Sequence, residues 1–228
     1  MHAYWKTFWD RYVEDAEDNP FSQVGRTLNK RPMSEAMFRK AAAYVIEKLE
    51  LETHHEVLDL CCGNGLFSAA LAPRCRHVVG VDFSEKLIAD MEVRAPKNVT
   101  GMVRDALEVA FQPASFHRIL FAAALQQFTQ AQVIRLFKDL IRWLKPGGLL
   151  LVTDILDAQR IWHYYNSPER EDVYFQRTME EAPILGTWLD RVWLEKLARH
   201  VGFSDAQALD QPDDYWYAHY RFDLFCRK

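Results

Sequence analysis

VLDLCCGNGLFS, which spans Val57 to Ser68, has the pattern of a buried strand that ends in a tight turn. Its first half is mostly apolar, and its second half contains Gly63 and Gly65 ahead of a short amphipathic stretch. A glycine turn at the start of a helix exposes backbone N–H groups and lets a ligand approach the backbone closely. The segment therefore predicts a ligand site at the carboxyl end of a parallel strand.

The alternation of strand and helix continues on the C-terminal side of this segment. Amphipathic stretches separate apolar runs that predict strands at 56–61, 77–82, 99–105, 116–124 and 146–154. Strands spaced in this way form a parallel sheet with helices on both faces. A sixth strand is expected at 204–210, and residues 219–227 alternate with period two, as a last antiparallel strand would. The predicted fold is α/β, with a Rossmann-like, seven-stranded, mostly parallel sheet.

Two aromatic segments lie outside this alternation. Residues 4–16 carry Trp5, Phe8, Trp9 and Tyr12 at helical spacing, and a second helix is expected at about 34–50. Residues 156–188 are predicted to be helical or irregular. We therefore divide the chain into an N-terminal helical lid, 1–50, and a sheet domain, 51–228, with an insertion at 156–188.

Composition narrows the classes of protein and of partner. The 228 residues are 49% hydrophobic and carry a net charge of -4, which argues against a surface built for nucleic acid. No apolar run approaches the roughly 20 residues of a membrane helix. The N-terminus lacks the pattern of a signal peptide, and the four cysteines do not form a disulfide framework. These features favour a reduced, cytoplasmic protein without a membrane partner.

Three acidic residues lie within or at the ends of three successive predicted strands. Asp59 lies inside the first strand, while Asp82 and Asp105 end the second and third. Such acids suit a cation that carries ribose and adenine, with Asp82 accepting from both ribose hydroxyls. A dinucleotide fingerprint would need glycine at Ser68. The alternatives are that Asp59 binds loop amides, Asp82 caps a helix and Asp105 belongs to a turn.

With these motifs the chain resembles the class I S-adenosylmethionine-dependent methyltransferases. The matching stretches are LDLCCGNG, GVDFS, VRDALE, FHRILFAAALQQF and LKPGGLLLVTD, in the family's order and spacing. The resemblance is close over about 56–155 and looser over the last two strands. It implies an enzyme with S-adenosyl-L-methionine as its cofactor.

The resemblance also assigns expected roles to individual residues around the cofactor. Asp59, Gly63 and Gly65 would surround its methionine part. Asp82 would bind the ribose, and Phe83, Asp105 and Ala106 would lie around the adenine. Ala122 or Ala123 would line the sulfonium. Gln23 and Arg26, in the segment that follows the first helix, are candidates for contacting the cofactor carboxylate.

Two positions depart from the family pattern. Cys61 stands where the family usually has glycine, which places a side chain close to the cofactor, and His117 stands where it usually has an acid. Cys61, Cys62, Cys75 and His77 match no zinc spacing, so we expect structural thiols and no metal.

The acceptor is expected to bind between the two aromatic segments. His163 and Tyr164, in RIWHYYNSPERED, are candidate acceptor contacts, and either could act as a base. An aromatic lining suits a flat or apolar small molecule, methylated by direct in-line displacement. Two alternatives stay open: a catalytically silent, methyltransferase-like binding protein, and a nicotinamide oxidoreductase, which Ser68 and Asp59 disfavour. The sequence does not identify the acceptor, the methylated atom or the oligomeric state.

Overall fold

A twisted seven-stranded sheet forms the centre of the computed structural model, which describes residues 2–15, 19–28, 31–182 and 184–228. Strands β1 to β7 are Glu56–Leu60, His77–Asp82, Val99–Val103, Phe116–Ala122, Leu144–Leu156, Asp205–Asp210 and Arg221–Arg227. The strand order is β3-β2-β1-β4-β5-β7-β6. β7 is antiparallel to both neighbours, and the other pairs are parallel. The predicted fold class is confirmed.

Helices flank the sheet and precede it. Helices α1 to α9 are His2–Asp15, Pro20–Gln23, Glu35–Lys48, Leu66–Leu71, Glu85–Arg94, Gln130–Trp143, Ile161–Tyr164, Pro168–Met179 and Arg191–Val201. The helix predicted at 4–16 ends at residue 15, and residue 16 lies outside the described residues. Among the described helices none is long and apolar enough to cross a membrane.

Side-chain caps explain where several helices begin. The hydroxyls of Ser34 and Ser84 accept from the backbone N–H groups of Met37 and Leu87 at the starts of α3 and α5. Thr129 and Gln132 form a reciprocal capping box at the start of α6. These caps satisfy N–H groups that have no partner inside a helix, so they fix the helix starts that the sequence indicates.

Each face of the sheet has its own apolar core. On one face α6 and α9 bury their stripes, including Phe137, Trp143 and Leu194, against strand residues such as Phe121. On the other face α3 and α4 pack against β1, with Val45 on the α3 side of that cluster. Helix α3 therefore packs directly on the sheet. The proposed division of the chain at residue 50 stays a prediction.

Several strands end earlier or later than expected. Residues Cys61 and Ala123, predicted to be in strands, have φ angles of 59° and 55° and have left them. β3 ends at Val103, and Asp105 lies in the following turn, where its Oδ1 accepts from the N–H of Leu107 at 2.9 Å. β5 extends beyond its predicted end at Asp154, across a register shift in its pairing with β7. A left-handed residue or a bulge redirects the chain at these points, which periodicity does not reveal.

The segment after α1 is tied to both halves of the sheet domain. Asn64 Nδ2 donates to the carbonyl of Pro20 at 2.9 Å and to Gln23 Oε1 at 2.8 Å. The hydroxyl of Tyr217 donates to the carbonyl of Thr27 at 2.5 Å. The N-terminal segment is thus fixed over the carboxyl ends of the strands.

Candidate active site

A cavity of about 930 Å³, partly open to solvent, lies beyond the carboxyl ends of β1, β2 and β4. We call it the cofactor cavity. Its lining includes most of the predicted cofactor contacts: Arg26, Asp59, Cys61, Gly63, Asp82, Phe83, Asp105, Ala106, Ala122 and Ala123. Gly65 and Gln23 are not part of this lining. The structure therefore brings together residues that are up to 97 positions apart in sequence.

Both glycines of the turn have left-handed backbone conformations and neighbours that leave no room for a side chain. A Cβ on Gly63, at φ +57°, would lie 2.7 Å from Val24 Cγ1. A Cβ on Gly65, at φ +75°, would lie 2.2 Å from Met91 Cγ. Gly63 therefore allows the N-terminal segment to pack on the turn, whereas Gly65 allows α5 to approach it.

Cys61 begins the turn with its own backbone in the left-handed region, at φ 59°. This geometry would suit glycine, since a Cβ is disfavoured in that region. The side chain lines the cofactor cavity. Burial raises the pKa of the thiol well above its usual value, and the charge of Asp82 adds to the effect. The thiol therefore stays protonated and weakly nucleophilic.

Asp82 is held rigidly at the end of β2. Its Oδ2 accepts from the N–H of Gly63 at 2.9 Å, and its Oδ1 accepts from the N–H of Ser84 at 3.0 Å. Each carboxylate oxygen has a further lone pair, so the group retains acceptor capacity toward the cavity. The alternative that Asp82 caps a helix does not apply, because Ser84 is the cap of α5 and Asp82 accepts from the N–H of that cap residue and from that of Gly63.

Asp59 is almost fully buried, and its Oδ2 accepts from the hydroxyl of Ser68 at 2.7 Å. Burial raises its pKa to about 7, while the Ser68 hydrogen bond and the charge of Arg26 oppose the shift. Ser68 therefore has a specific role at the position where a dinucleotide fingerprint has glycine: it positions this carboxyl group.

Arg26 and Gln23, both predicted to contact the cofactor, lie on different sides of the N-terminal segment. Arg26 is 8% exposed, and its guanidinium lies 4.7 Å from the centre of the Phe67 ring and 3.7 Å from Asp154 Oδ2. Gln23 points away from the cavity, and its Nε2 donates to Asp90 Oδ2 at 3.0 Å. Together with Asn64, Gln23 fastens the segment to α5.

A second cavity, of about 1430 Å³, adjoins the first, and we call it the acceptor cavity. Helix α1 contributes Trp5, Phe8 and Trp9 to its wall, and the 156–188 segment contributes residues that include Tyr164 and Tyr165. The two cavities share the lining residues Trp5, Trp9, Val24, Arg26, Ala123 and Gln127. The two aromatic segments thus face each other across one space next to the cofactor cavity.

The two candidate catalytic residues have different surroundings. Tyr164 lines the acceptor cavity, and its ring packs edge-on against Tyr165 and at a tilt against Tyr220. His163 is exposed, is not part of the lining, and its Nδ1 lies 2.8 Å from the carbonyl oxygen of His219. Sequence reasoning missed other lining residues, among them Asp154, Arg170, Tyr217 and Arg221. Of these residues only Asp154 could have been found from the sequence, because it lies at the predicted end of β5 and ligands bind at the carboxyl ends of parallel strands.

His117, the other departure from the family pattern, lies at the amino ends of the strands, on the side of the sheet away from the cofactor cavity. Its Nδ1 accepts from the N–H of Glu56 at 2.9 Å, and its Nε2 lies 3.2 Å from Lys145 Nζ. Burial and the charge of Lys145 lower its pKa, which favours a neutral ring. It therefore links β4 to β1 at the start of the strands and does not face the cofactor cavity.

Comparisons with known proteins agree with this architecture. A family model described as a methyltransferase domain matches residues 57–148. An uncharacterized methyltransferase of Synechocystis sp. is 32% identical over 112 residues, which are 48% of this chain and 51% of that protein. The demethylmenaquinone methyltransferase of Lactococcus lactis is 27% identical over 168 residues, 68% of this chain and 62% of that one. The chain thus spans between half and two thirds of these relatives.

A solved structure shows the same fold with the expected cofactor. Phosphoethanolamine N-methyltransferase 2 of Haemonchus contortus, in complex with S-adenosyl-L-methionine, superposes with a TM-score of 0.65 at 18% identity. The superposition covers 82% of this chain and 52% of that one. The matched region begins in β1, contains the glycine turn and ends in β5, so this part of the chain is a methyltransferase domain, and the resemblance to the class I S-adenosylmethionine-dependent methyltransferases is confirmed over residues 57–148.

Proposed function

We propose that this chain transfers the methyl group of S-adenosyl-L-methionine to a small molecule held in the acceptor cavity. The observation that carries the proposal is the contact between the two cavities along six shared lining residues. A molecule in one cavity would therefore lie next to a molecule in the other. Proximity and orientation alone account for a large part of the rate of such a displacement.

The residues of the cofactor cavity fit the chemistry of the cofactor. The buried carboxyl of Asp59 and the guanidinium of Arg26 suit its amine and its carboxylate, respectively. The free lone pairs of Asp82 suit ribose hydroxyls, and Phe83, Asp105 and Ala106 suit an adenine ring. When bound, the sulfonium group supplies an electrophilic methyl group. The protein's share is to fix this group beside Ala122 and Ala123.

The largely aromatic walls of the acceptor cavity favour a small acceptor. Aromatic rings from α1 and from the 156–188 segment face each other across the space, and closure of the two segments over a bound acceptor would remove water, which favours methyl transfer. Tyr164 is the better placed of the two proposed catalytic residues, as an acceptor contact or a proton acceptor. The net charge of -4 disfavours nucleic acid as the acceptor. All four cysteine thiols are free, which supports a reducing, cytoplasmic location.

Calorimetry with S-adenosylmethionine, S-adenosylhomocysteine and NAD tests the proposal against the two alternatives. We expect both sulfur cofactors to bind and NAD not to bind. Release of S-adenosylhomocysteine in the presence of a panel of small phenols, amines and carboxylic acids then tests turnover. Cofactor binding without turnover on any panel member would favour the silent binding protein, and binding of NAD alone would favour the oxidoreductase.

A further inference from the structure

The lining of the acceptor cavity carries more cationic than anionic side chains. Among the described residues the cations are Arg26, Arg170, Arg177 and Arg221, and the only carboxylate is that of Asp154. The rest of the wall is mainly aromatic or aliphatic. Arginines grouped in a mainly aromatic wall favour a ligand with a negative charge, because a guanidinium makes its strongest hydrogen bonds to anions.

The single carboxylate is already engaged. Asp154 Oδ2 lies 3.7 Å from Arg26 Nη1, and its Oδ1 accepts from Gln211 Nε2 at 3.0 Å. Arg26 also lines the cofactor cavity, where it is assigned to the cofactor carboxylate. Asp154 and Arg26 therefore form a pair at the junction of the cavities, and no carboxylate of the described lining lies within 4 Å of the guanidinium of Arg170 or Arg221.

Arg221 is positioned by carbonyl and ring contacts. Its Nη1 donates to the backbone carbonyl of Asp154 at 3.2 Å, and its guanidinium lies 4.7 Å from the centre of the Tyr217 ring and 5.3 Å from that of Tyr220. Its Nε is buried and has no hydrogen-bond partner. No carboxylate of the described residues lies within 4 Å of this guanidinium. These contacts fix its direction. Against the effect of burial, Tyr220 and Asp154 keep the pKa of Arg221 above its usual value, so the group stays charged while its Nε still lacks an acceptor.

Arg170, on the first turn of α8, is held in a similar way. Its Nη1 donates to the carbonyl of Tyr164 at 2.9 Å, and its guanidinium lies 5.0 Å from the centre of the Tyr164 ring. The side-chain oxygen of Asn166, 3.4 Å away, is a neutral acceptor. Two arginines that originate 51 residues apart thus converge on one aromatic cavity, each orientated by a tyrosine.

We infer that the methyl acceptor is a flat aromatic molecule with an anionic substituent, a carboxylate or a phosphate. Its ring would lie between the aromatic side chains of α1 and the tyrosines of the opposite wall, and its anionic group would bind Arg221 and Arg170. A guanidinium is suited to both anions, because its parallel N–H groups match two oxygens. The inference rests on the proposed function and adds the charge of the acceptor to it.

Binding of naphthalene probes to protein saturated with S-adenosylhomocysteine tests the inference. The probes are 2-naphthoate, 2-naphthyl phosphate, the neutral 2-naphthamide and the cationic 2-naphthylmethylamine, titrated by calorimetry. We expect at least one anionic probe to bind about 10-fold or more tightly than the amide, since hydrogen bonds to a charged group are the stronger ones. The better of the two anions identifies the substituent.

Variants of the two arginines test whether these residues cause the preference for the anionic probes over the amide. We expect Arg170→Gln and Arg221→Gln to reduce the preference for the anion about 10-fold each, and Arg221→Lys to retain part of it. Arg39→Gln is the matched control, because Arg39 is exposed on α3 and pairs with Glu35. If Arg221→Gln fails to fold, the anion preference of the Arg170→Gln and Arg221→Lys variants tests the inference instead, since Arg170 is exposed and its replacement should not affect folding.

The outcomes separate the inference from the proposed function. Equal binding of the amide and the anions, tighter binding of the cation, or no binding of any probe to the cofactor-loaded protein would overturn the inference and leave the methyltransferase assignment intact. Failure of S-adenosylhomocysteine to bind the wild-type protein would overturn the proposed function itself.

Discussion

Asp82 Oδ2 accepts a hydrogen bond from the backbone N–H of Gly63, 19 residues earlier in the chain, at 2.9 Å. The bond joins the end of β2 to the glycine turn after β1, so the two strand ends that line the cofactor cavity are held as a single unit. The carboxylate is 7% exposed, and burial raises its pKa, while the amides of Ser84 and Gly63 oppose the shift.

Replacing Asp82 with alanine should weaken binding of S-adenosylhomocysteine by about 1.5–3 kcal/mol, because a charged acceptor is lost. Calorimetry gives the affinity, and circular dichroism shows whether the variant is folded. Asp214→Ala is a suitable control, since that aspartate is exposed and pairs with Lys40 outside the cavity. Affinity equal to that of the wild type in a folded variant would contradict the ribose assignment.

Glycine at position 61 should be tolerated. Cys61→Gly removes the left-handed strain of a side-chain-bearing residue, about 1 kcal/mol, and a similar loss of packing and gain of unfolded-state entropy offsets this. We expect a free energy of unfolding within about 1 kcal/mol of the wild type and unchanged cofactor affinity. Cys61→Val, which is β-branched, should instead destabilise the protein by about 2 kcal/mol. A large loss of turnover in a folded glycine variant would reveal a role for the thiol.

Alanine at position 65 should be far more disruptive than alanine at position 147. Both glycines have left-handed φ angles, +75° and +71°, so each substitution costs about 1–2 kcal/mol of backbone strain. Only at Gly65 would the new Cβ also collide with Met91, which adds about 1–3 kcal/mol of overpacking, whereas nothing lies within 4 Å at Gly147. Urea unfolding of the two variants measures the difference, and equal losses would refute the packing argument.

The stability of the ligand-free protein should decrease with rising pH because of Asp59. Burial raises its pKa to about 7 from an ordinary value of 3.8, so the folded state binds more protons than the unfolded state between these values. The contribution of Asp59 is therefore fully present below about pH 4 and is lost as the pH rises through about 7, a change on the order of 3 kcal/mol.

Asp59→Asn provides the control for this pH dependence. The amide has nearly the same shape and can still accept from Ser68, but it does not titrate in this range. Urea unfolding at several pH values between 4 and 8 should show a smaller decrease for the variant. Asp223, whose pKa burial also raises to about 7, contributes to the decrease in both proteins. Identical pH profiles would show that Asp59 ionises at its ordinary pKa.

Cofactor binding should order the two aromatic segments. Hydrogen exchange of peptides from α1 and from α7 and α8 should slow when S-adenosylhomocysteine is added, because Trp5 and Trp9 line both cavities. Peptides from α6, which is packed in the core, serve as the control. Unchanged exchange in both segments would contradict the lid hypothesis and favour an acceptor larger than a small molecule.

The local patterns of the sequence predicted the sheet and the cofactor cavity well. Each acid and glycine of that site lies at or near a strand end, so the order of strands alone brings Asp59, Asp82 and Asp105 to one edge. The backbone conformation at three positions was less predictable. Cys61, Ala123 and Asp154 adopt left-handed conformations near the ends of neighbouring strands, with φ between 55° and 61°, and none of them is a glycine. Tertiary packing imposes these conformations, so residue type does not indicate them.

The acceptor cavity was predicted only in outline. Aromatic spacing identified its two walls, but Arg170 in α8 and Arg221 in β7 line the same cavity although they are distant in sequence, which no local pattern encodes. The orientation of Gln23 could not be predicted from the sequence either, because it depends on hydrogen bonds to Asn64 and Asp90, which lie in two other parts of the chain. Contacts between distant segments are set by the whole fold, and they determine which of several plausible side chains face the ligand.

The hydrogen bond between Tyr217 and Thr27 spans 190 residues and has a consequence for how the protein is made. During translation the N-terminal segment emerges first, but the surface on which Arg26 and Thr27 rest includes Asp154 and Tyr217, which are synthesised much later. The first aromatic helix must therefore remain undocked on the ribosome while the strands form behind it. Closure of the pocket therefore has to wait until the segment that carries Tyr217 has been made, which makes docking of the N-terminal segment a late step of folding.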